Sequence, residues 1–211
     1  MKTKMGYTLA MSERIGLFGG TFDPPHLGHL ILASESRTQL RLDRLLWVIT
    51  PRSPHKIGNS IAPIPHRLEM VQLAIANERN FEICTIEFER PAPQYTVDTL
   101  DILKEQYPGK DLILLIGSDS LGGLTTWHRP ADLLADCREI GVMRRPGESI
   151  QLTTLEAVLP GAREKIHFVD APLLQISSRE IRRRIIEGLN YRYFLPQAVY
   201  DYIQTHNLYR D

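Results

Sequence analysis

The sequence predicts an α/β protein in which a doubly wound, mainly parallel sheet has helices on both faces, with a small helical part at the C-terminal end. Two observations support this fold class. Short apolar runs typical of buried strands alternate with segments whose apolar residues recur at helical spacing. Glycine or polar residues follow three of these runs, at 19–20, 50–51 and 117–118, which places the loops suited to ligand binding on one edge of the sheet.

Six apolar runs are predicted to be strands because they are short and are bounded by turn-forming residues. They span residues 15–18, 45–50, 81–88, 111–117, 139–144 and 165–169. The run at 81–88 alternates between apolar and other residues, so we expect it at an edge of the sheet.

Five segments are predicted to be helices, from the spacing of their apolar residues. They span residues 27–40, 66–77, 97–106, 178–187 and 196–205. The segments 121–136 and 147–163 are less regular, and we expect them to decorate the core.

The composition is typical of a soluble globular protein, since 43% of the residues are hydrophobic and 24% are charged. We expect residues 1–12 to be a disordered extension, unless translation starts at Met5 or Met11, and residues 13–211 to form a single domain. Lysine plus arginine and aspartate plus glutamate each number 25, and the net charge of zero argues against a nucleic-acid partner.

The location is expected to be cytoplasmic, with no membrane partner. No apolar run is long enough to cross a bilayer, and the N-terminal residues lack the apolar core of a signal peptide. Cys84 and Cys137 are assigned to buried strands, as core residues in a reducing compartment. The sequence does not determine the oligomeric state, and a homo-oligomer is compatible with it.

The segment IGLFGGTFDPPHLGH at residues 15–29 is the most informative part of the chain. Gly19 and Gly20 allow a ligand to lie against the main chain at the end of the first strand. His26 and His29 open a helix three residues apart, so their side chains leave from one face of its first turn. Because a helix start also presents unpaired N–H groups and partial positive charge, the segment predicts a phosphate site.

Two other interpretations of this histidine pair are open. The pair is compatible with a half-exposed polar turn, or with two ligands of a metal ion. Zinc would need a third and a fourth ligand, and the sequence offers no cysteine or histidine cluster to supply them. Phosphate binding is therefore the favoured interpretation.

A second helix start, ISSREIR at residues 176–182, also favours an anionic ligand. Ser177 is the predicted cap, with Glu180 completing a capping box, which leaves Ser178 available. Three arginines of the first two turns oppose the helix dipole: Arg179, Arg182 and Arg183. Charge-assisted bonds to phosphate, about 1.5–3 kcal/mol each, outweigh a dipole penalty of about 0.3–1 kcal/mol. Arg182 is the main candidate, and capping alone is the alternative interpretation.

The H-x-G-H and I-S-S-x-x-I-R motifs together resemble the double signature of the nucleotidyltransferase superfamily, which joins a nucleoside triphosphate to a phosphate-bearing acceptor. Three inner segments narrow the resemblance: SPHK at 53–56, QYTVDTL at 94–100, and GSDS at 117–120 with Trp127 and His128 after it. In this order they are similar to the bacterial nicotinate-nucleotide adenylyltransferases. The resemblance implies a Rossmann-like fold and transfer of the AMP moiety of ATP to nicotinate mononucleotide, giving deamido-NAD and pyrophosphate.

The resemblance also implies a role for each matching residue. The implied catalytic residues, which contact phosphates, are His26, His29, Lys56 and Arg182. The implied ATP-binding residues are Gly19, Gly20, Thr21, Phe22, Gly117, Asp119, Ile176, Ser177 and Ser178. The implied substrate-binding residues are Thr96, Trp127 and His128, with Trp127 stacked on the pyridine ring and the other two near its carboxylate.

The chain departs from the family pattern at two positions. Pro25 replaces a common isoleucine or valine, and His128 replaces a common tyrosine or other aromatic residue, which leaves the carboxylate contacts open. From the residues alone, Trp127 is as compatible with a core position as with a stacking platform. Helix capping is the alternative role of Thr96, Asp98 and Asp119, and plain solvent exposure that of Lys56.

The expected mechanism is a direct in-line displacement without a covalent intermediate, because the attacking phosphate is already an anion. Mg²⁺ is the expected cofactor, entering with ATP and held mostly by phosphates and water rather than by a protein metal site. The open alternatives are transfer to nicotinamide mononucleotide or phosphopantetheine, a CTP-dependent cytidylyltransferase, and a nucleotide-binding regulator without turnover.

Overall fold

A six-stranded parallel sheet organises the chain in the computed structural model, which describes residues 12–51, 62–144, 152–172 and 174–210. The strands are β1 (Arg14–Gly20), β2 (Arg44–Ile49), β3 (Phe81–Cys84), β4 (Asp111–Gly117), β5 (Glu139–Met143) and β6 (Ile166–Val169). They lie side by side in the order β3-β2-β1-β4-β5-β6. The predicted extension at 1–12 lies outside the described residues except for residue 12.

Helices cover both faces of the sheet and form the C-terminal part. The α-helices of the described residues are α1 (Leu27–Gln39), α2 (Ile64–Ile75), α3 (Thr96–Gln106), α4 (Ser118–Gly122), α5 (Pro130–Asp136), α6 (Leu152–Val158), α7 (Ala162–Lys165), α8 (Ser178–Ile186) and α9 (Gln197–Thr205). None of those described helices combines the length and apolarity that a membrane span requires. The doubly wound α/β fold predicted from the sequence is confirmed.

The strand order reverses between β1 and β4, and this reversal creates the place for a site. The chain builds β1, β2 and β3 toward one edge, then crosses back to β4 and continues to β6 at the other edge. Phe18 of β1 is therefore in register with Trp47 of β2 on one side and with Leu115 of β4 on the other. Connections that leave β1 and β4 diverge at their carboxyl ends, and such a crevice is where open α/β sheets bind ligands.

The core has three parts, two of which lie on opposite faces of the sheet. One face packs Leu17, Leu46 and Leu114 against residues of α3, α5, α6 and α7. The other face packs Phe18, Trp47 and Leu115 against residues of α1 and α2. The third part joins α8 and α9 to Met70 of α2. The small helical part therefore docks on α2, close to the carboxyl ends of the strands.

The edge strand β3 is shorter than the predicted run at 81–88. It ends at Cys84, and Ile86–Glu89 forms a 3₁₀ helix in which the Phe88 N–H donates to the Thr85 carbonyl at 2.8 Å. The Glu87 carboxylate accepts a hydrogen bond from the Thr99 hydroxyl of α3 at 2.9 Å. An edge strand has a pairing neighbour on one side only, so leaving the sheet after Cys84 forgoes hydrogen bonds to β2 alone.

The segments expected to decorate the core belong to it instead. They contain α5 and α6 and overlap α4 and α7, and they contribute Leu124, Leu133, Leu155 and Leu159 to the core. The strand assignment of Cys137 is also wrong, because this buried thiol follows α5, while Cys84 does end β3. These helices are short, from four to seven residues, so periodicity gives little signal and their stability depends on contacts with the rest of the fold.

Candidate active site

The loop after β1 is shaped by one aromatic anchor. Phe22 has φ 46°, and its side chain is 2% exposed, packed against Phe18 and Trp47. A methyl group at Gly20 would lie 2.9 Å from the Phe22 ring, whereas one at Gly19 would meet no described atom within 4 Å. Glycine at 20 is therefore required by packing, and Gly19 leaves its main chain open to a ligand. The Phe22 ring packs into the core, and the implied position of Phe22 along the nucleotide stays a prediction that its backbone can still meet.

His26 and His29 cap the start of α1 through each other's backbone. The N–H of His29 donates to Nδ1 of His26 at 3.3 Å, and the N–H of His26 donates to Nδ1 of His29 at 3.2 Å. The two rings are stacked, with centroids 3.7 Å apart. Because Nδ1 accepts in both rings, the proton of each neutral imidazole lies on Nε2, where it serves as a donor.

The glycine of H-x-G-H has a steric role at this point. His26 is only 5% exposed, so the half-exposed polar turn is wrong for that residue. A methyl group at Gly28 would lie 3.1 Å from the His26 ring and 3.8 Å from Cβ of Ile176. The absence of a side chain at 28 thus makes room for the buried imidazole and for the close approach of the second helix start.

The second helix start is bonded directly to the first motif. Ser177 caps α8 by accepting from the N–H of Glu180 at 3.2 Å. The Ser178 hydroxyl donates to the Pro24 carbonyl at 2.8 Å, and Nη1 of Arg182 donates to the Asp23 carbonyl at 2.6 Å. The convergence of the two helix starts, on which phosphate binding depends, is therefore confirmed.

Part of the charge argument for α8 is wrong. The Glu180 carboxylate does not complete a capping box but pairs with Arg183 and Arg184, and these partners lower the pKa of Glu180 to about 2. Arg183 also pairs with Glu187. Nearby carboxylates thus offset the cost of Arg183 and Arg184, and Arg182 is a cation that bonds the loop before α1.

A buried polar cluster that the sequence did not predict supports this junction. Asp23 is 1% exposed, and its Oδ1 accepts from the N–H of Ala62 at 3.1 Å and from the hydroxyl of Tyr209 at 2.7 Å. Oδ2 of Asp23 is 3.5 Å from Nη1 of Arg182. Tyr209, which follows α9, therefore contacts the loop after β1, and no local sequence pattern predicts this contact.

Arg67 joins the loops after β1 and β2. This buried side chain of α2 donates to the carbonyls of Ala62, Thr21, Thr50 and Pro51 at 2.8 to 3.0 Å. Burial lowers the pKa of Arg67, and the neighbouring carboxyl of Asp23 opposes that shift. The available sequence signal was an arginine on the apolar face of a predicted helix. Its donors satisfy loop carbonyls that would otherwise be buried without a partner.

The predicted acceptor residues lie together at the start of α3. The His128 ring stacks on Tyr95 with centroids 4.1 Å apart. Trp127 is partly buried and packs against the part of the core that contains Leu17 and Leu114. Tyr95 is the N-cap of α3 and makes no side-chain capping bond within the described residues, so Thr96 is not the cap. Trp127 is half-buried, so its contact with the core is confirmed, and its role as a stacking platform stays a prediction.

Arg129 fixes this region from outside. Its φ is 48°, and its guanidinium pairs with Asp98 and Asp101 of α3 and with Asp132 of α5. The carboxylate of Asp98 is thus engaged in an ion pair. These contacts tie the connection that carries Trp127 to the helix that carries Thr96.

The remaining predicted residues divide into two groups. Gly117 ends β4 and is the N-cap of α4, and Asp119 lies in the first turn, where its Oδ1 accepts from the N–H of Ser120 at 3.0 Å. Both therefore lie at the crevice, as predicted. Lys56 lies outside the described residues, so its role stays a prediction.

Comparison with known proteins decides the family. The chain matches the cytidylyltransferase-like family over residues 17–184. A curated relative from Thermomicrobium roseum, named probable nicotinate-nucleotide adenylyltransferase, is 46% identical over 198 residues, or 94% of this chain and 92% of the relative. The chain belongs to the nicotinate-nucleotide adenylyltransferase family. A relative of the same name from Thermus thermophilus is 42% identical over 93% of this chain and 100% of its own length.

Solved structures support the fold independently. Plasmodium falciparum nicotinic acid mononucleotide adenylyltransferase complexed with NaAD superposes with a TM-score of 0.76 at 22% identity, over 93% of this chain and 97% of that chain. The same enzyme complexed with APC gives 0.74. These likenesses confirm the Rossmann-like fold, and the family assignment confirms the resemblance drawn from the motifs.

Proposed function

We propose that this chain transfers the AMP moiety of ATP to nicotinate mononucleotide, forming nicotinate adenine dinucleotide and releasing pyrophosphate. One observation carries the proposal most strongly. The two helix starts that carry phosphate-binding side chains are bonded to each other, Ser178 to Pro24 and Arg182 to Asp23. The names of the curated relatives supply the acceptor and agree with this arrangement.

In the proposed reaction, an oxygen of the acceptor's 5′-phosphate attacks the α-phosphorus of ATP in line. The new P–O bond forms as the bond to the β-phosphate oxygen breaks, and pyrophosphate leaves with that electron pair. The nucleophile is an anion, so the site needs no general base. Catalysis then consists of holding the two phosphates in line and stabilising charge on the phosphoryl oxygens.

The proposed roles follow from the donors. The Nε2–H groups of His26 and His29, together with the start of α1, donate to oxygens of the reacting phosphates, with His29 next to the α-phosphate. Arg182 and the Ser177–Ser178 start of α8 hold the polyphosphate tail. The Arg182 side chain is 20% exposed, so it can reach a ligand while Nη1 stays anchored on Asp23. Lys56 is proposed to reach a further phosphate oxygen.

The nucleoside and acceptor ends use different chemistry. Asp119 is proposed to accept hydrogen bonds from the ribose hydroxyls of the adenylate. Trp127 presents a flat apolar ring for stacking with the pyridine. Thr96, in the first turn of α3, and the His128 backbone are proposed to donate to the pyridine carboxylate, and the positive end of α3 would favour that anion.

Mg²⁺ is proposed to enter with ATP. Among the described residues no three histidine, cysteine, aspartate or glutamate side chains are grouped to hold a metal ion, so phosphate oxygens and water would supply its ligands. The ion would neutralise part of the phosphate charge.

Pyrophosphate release on mixing the protein with ATP and an acceptor tests the proposal. We expect release with nicotinate mononucleotide, with nicotinate adenine dinucleotide identified by mass spectrometry. Parallel reactions with nicotinamide mononucleotide, with phosphopantetheine and with CTP in place of ATP are the controls. Faster release in any control reaction would overturn the assignment. No release in any reaction, including the one with nicotinate mononucleotide and ATP, would favour a regulator without turnover.

Two further predictions complete the proposal. A cytoplasmic location is expected and can be checked by fractionation of the source cells. A homo-oligomer is compatible with the sequence, and light scattering coupled to gel filtration measures the mass directly.

A further inference from the structure

The carboxyl of Asp23 is held from three directions. The N–H of Ala62, ahead of α2, and the hydroxyl of Tyr209 donate to its Oδ1, and Arg182 of α8 lies on its other side. Asp23 immediately precedes the Pro24 carbonyl that accepts from Ser178. A shift of this one carboxyl would therefore move the contacts of both phosphate-binding helix starts.

The chain bends after α9 in order to bring Tyr209 to this carboxyl. Asn207 and Tyr209 have φ values of 50° and 66°, a region that non-glycine residues rarely occupy. The N–H of Leu208 donates to the Ile203 carbonyl at 3.1 Å, which closes the bend. Burial and the neighbouring Asp23 raise the pKa of Tyr209 well above its usual range. The hydroxyl therefore remains a donor at any physiological pH.

We infer that Tyr209 is a positioning residue for ATP. Its hydrogen bond fixes the carboxyl of Asp23, and this carboxyl in turn orients Arg182 toward the polyphosphate tail. The inference rests on the proposed function, since it assumes that Arg182 contacts the nucleotide. The C-terminal tail then supports the nucleotide site through Asp23 and Arg182, and the inference assigns Tyr209 no direct contact with phosphate.

The chemistry predicts which step should change. Without the hydroxyl, Oδ1 of Asp23 keeps only the N–H of Ala62, and a buried carboxyl with an unsatisfied oxygen shifts toward other donors. Arg182 holds the tail alike in the ground state and in the transition state, so the loss should appear in ATP binding and hardly in kcat.

The test compares Tyr209→Phe with Tyr191→Phe. Tyr191 is a matched control because it belongs to the same apolar cluster, is buried, and has its hydroxyl bonded to the side chain of Gln204 rather than to Asp23. Both variants lose one phenol oxygen, and similar small losses of thermal stability are expected. The probe is α,β-methylene-ATP, titrated by calorimetry without acceptor, alongside steady-state kcat.

We expect Tyr209→Phe to raise the Kd of the analogue about tenfold, with kcat within about twofold, and Tyr191→Phe to leave both within about twofold. In an Arg182→Ala background, Tyr209→Phe should add less than about twofold, because the effect passes through that arginine. Asp23→Asn, which keeps the volume of the side chain, should weaken the analogue in the same direction.

Four results would each overturn the inference. Two are an unchanged Kd in Tyr209→Phe and an unchanged Kd in a folded Asp23→Asn. The others are an equal loss in Tyr191→Phe and a full tenfold loss from Tyr209→Phe in the Arg182→Ala background. The analogue binds without acceptor, so a wild-type protein that binds it but makes no nicotinate adenine dinucleotide would refute the proposed reaction while leaving this test intact.

Discussion

The nucleotide side of the site and the acceptor side are held by different kinds of contact. On the nucleotide side, three buried polar groups bond to other parts of the protein. They are the carboxyl of Asp23, the guanidinium of Arg67 and the imidazole of His26, which caps α1. On the acceptor side, exposed His128 stacks on Tyr95.

The strength of these contacts differs with their burial. Arg129 reaches its three carboxylates at the surface, where solvent and salt weaken ion pairs. Buried hydrogen bonds resist both, and breaking one leaves an unsatisfied group. The nucleotide side should therefore be rigid and sensitive to single substitutions, and the acceptor side more tolerant.

The largest effect is expected from His29→Ala. Removing a donor aimed at the reacting phosphate should lower kcat/KM about 10²- to 10⁴-fold, measured by pyrophosphate release. His66→Ala is the matched control, because this histidine also lies in the first turn of a helix but bonds Tyr202. Near-native turnover of a folded His29→Ala would remove this imidazole from the mechanism.

A smaller effect is expected from Arg182→Ala, which should raise the KM for ATP about 10- to 100-fold with a lesser change in kcat. Arg184→Ala serves as control, since that arginine of the same helix pairs with Glu180 and the Asn190 carbonyl. An ATP KM equal to that of the wild type would contradict the assignment of the tail to α8.

On the acceptor side, Trp127→Ala should raise the KM for nicotinate mononucleotide about tenfold and leave the KM for ATP nearly unchanged. Trp127→Phe keeps a flat ring and should recover most of the loss. If both variants instead weaken ATP and the acceptor equally, the tryptophan acts through the core and not through stacking.

The smallest effect is expected from Arg129→Met, which removes the exposed ion pairs with α3 and α5. We expect the acceptor KM to rise by less than about fivefold. The difference in acceptor KM between variant and wild type should shrink at high salt, because salt screens the exposed ion pairs of the wild type. A loss as large as that of Arg182→Ala would show that the two sides do not differ as described.

The strands and the long helices were predictable from the sequence because their signals are local. The predicted strand at 111–117 coincides with β4, and the helix predicted at 97–106 differs from α3 by one residue. The short helices α4 to α7 were missed, since segments of four to seven residues take their stability from the core they join.

The candidate site shows the same division. The positions of His26, His29, Ser177 and Arg182 could be found from two motifs, because capping and phosphate binding both need particular residues near a helix start. The burial of Phe22 could not be predicted, because the sequence of a glycine-rich loop does not show whether its aromatic side chain faces a ligand or the core.

The sequence by itself determined the fold class, the family and the two helix starts. Strand patterns, helix patterns and short motifs depend only on residues that are close together in the sequence. Only the tertiary structure decided that Asp23, Arg67, Arg182 and Tyr209 meet in one buried cluster. Tyr209 and Asp23 are 186 positions apart, and their contact depends on the docking of α8 and α9 against α2. The groups that hold this buried carboxyl come from distant parts of the chain, since Ala62 and Tyr209 donate to Oδ1 and Arg182 lies 3.5 Å from Oδ2.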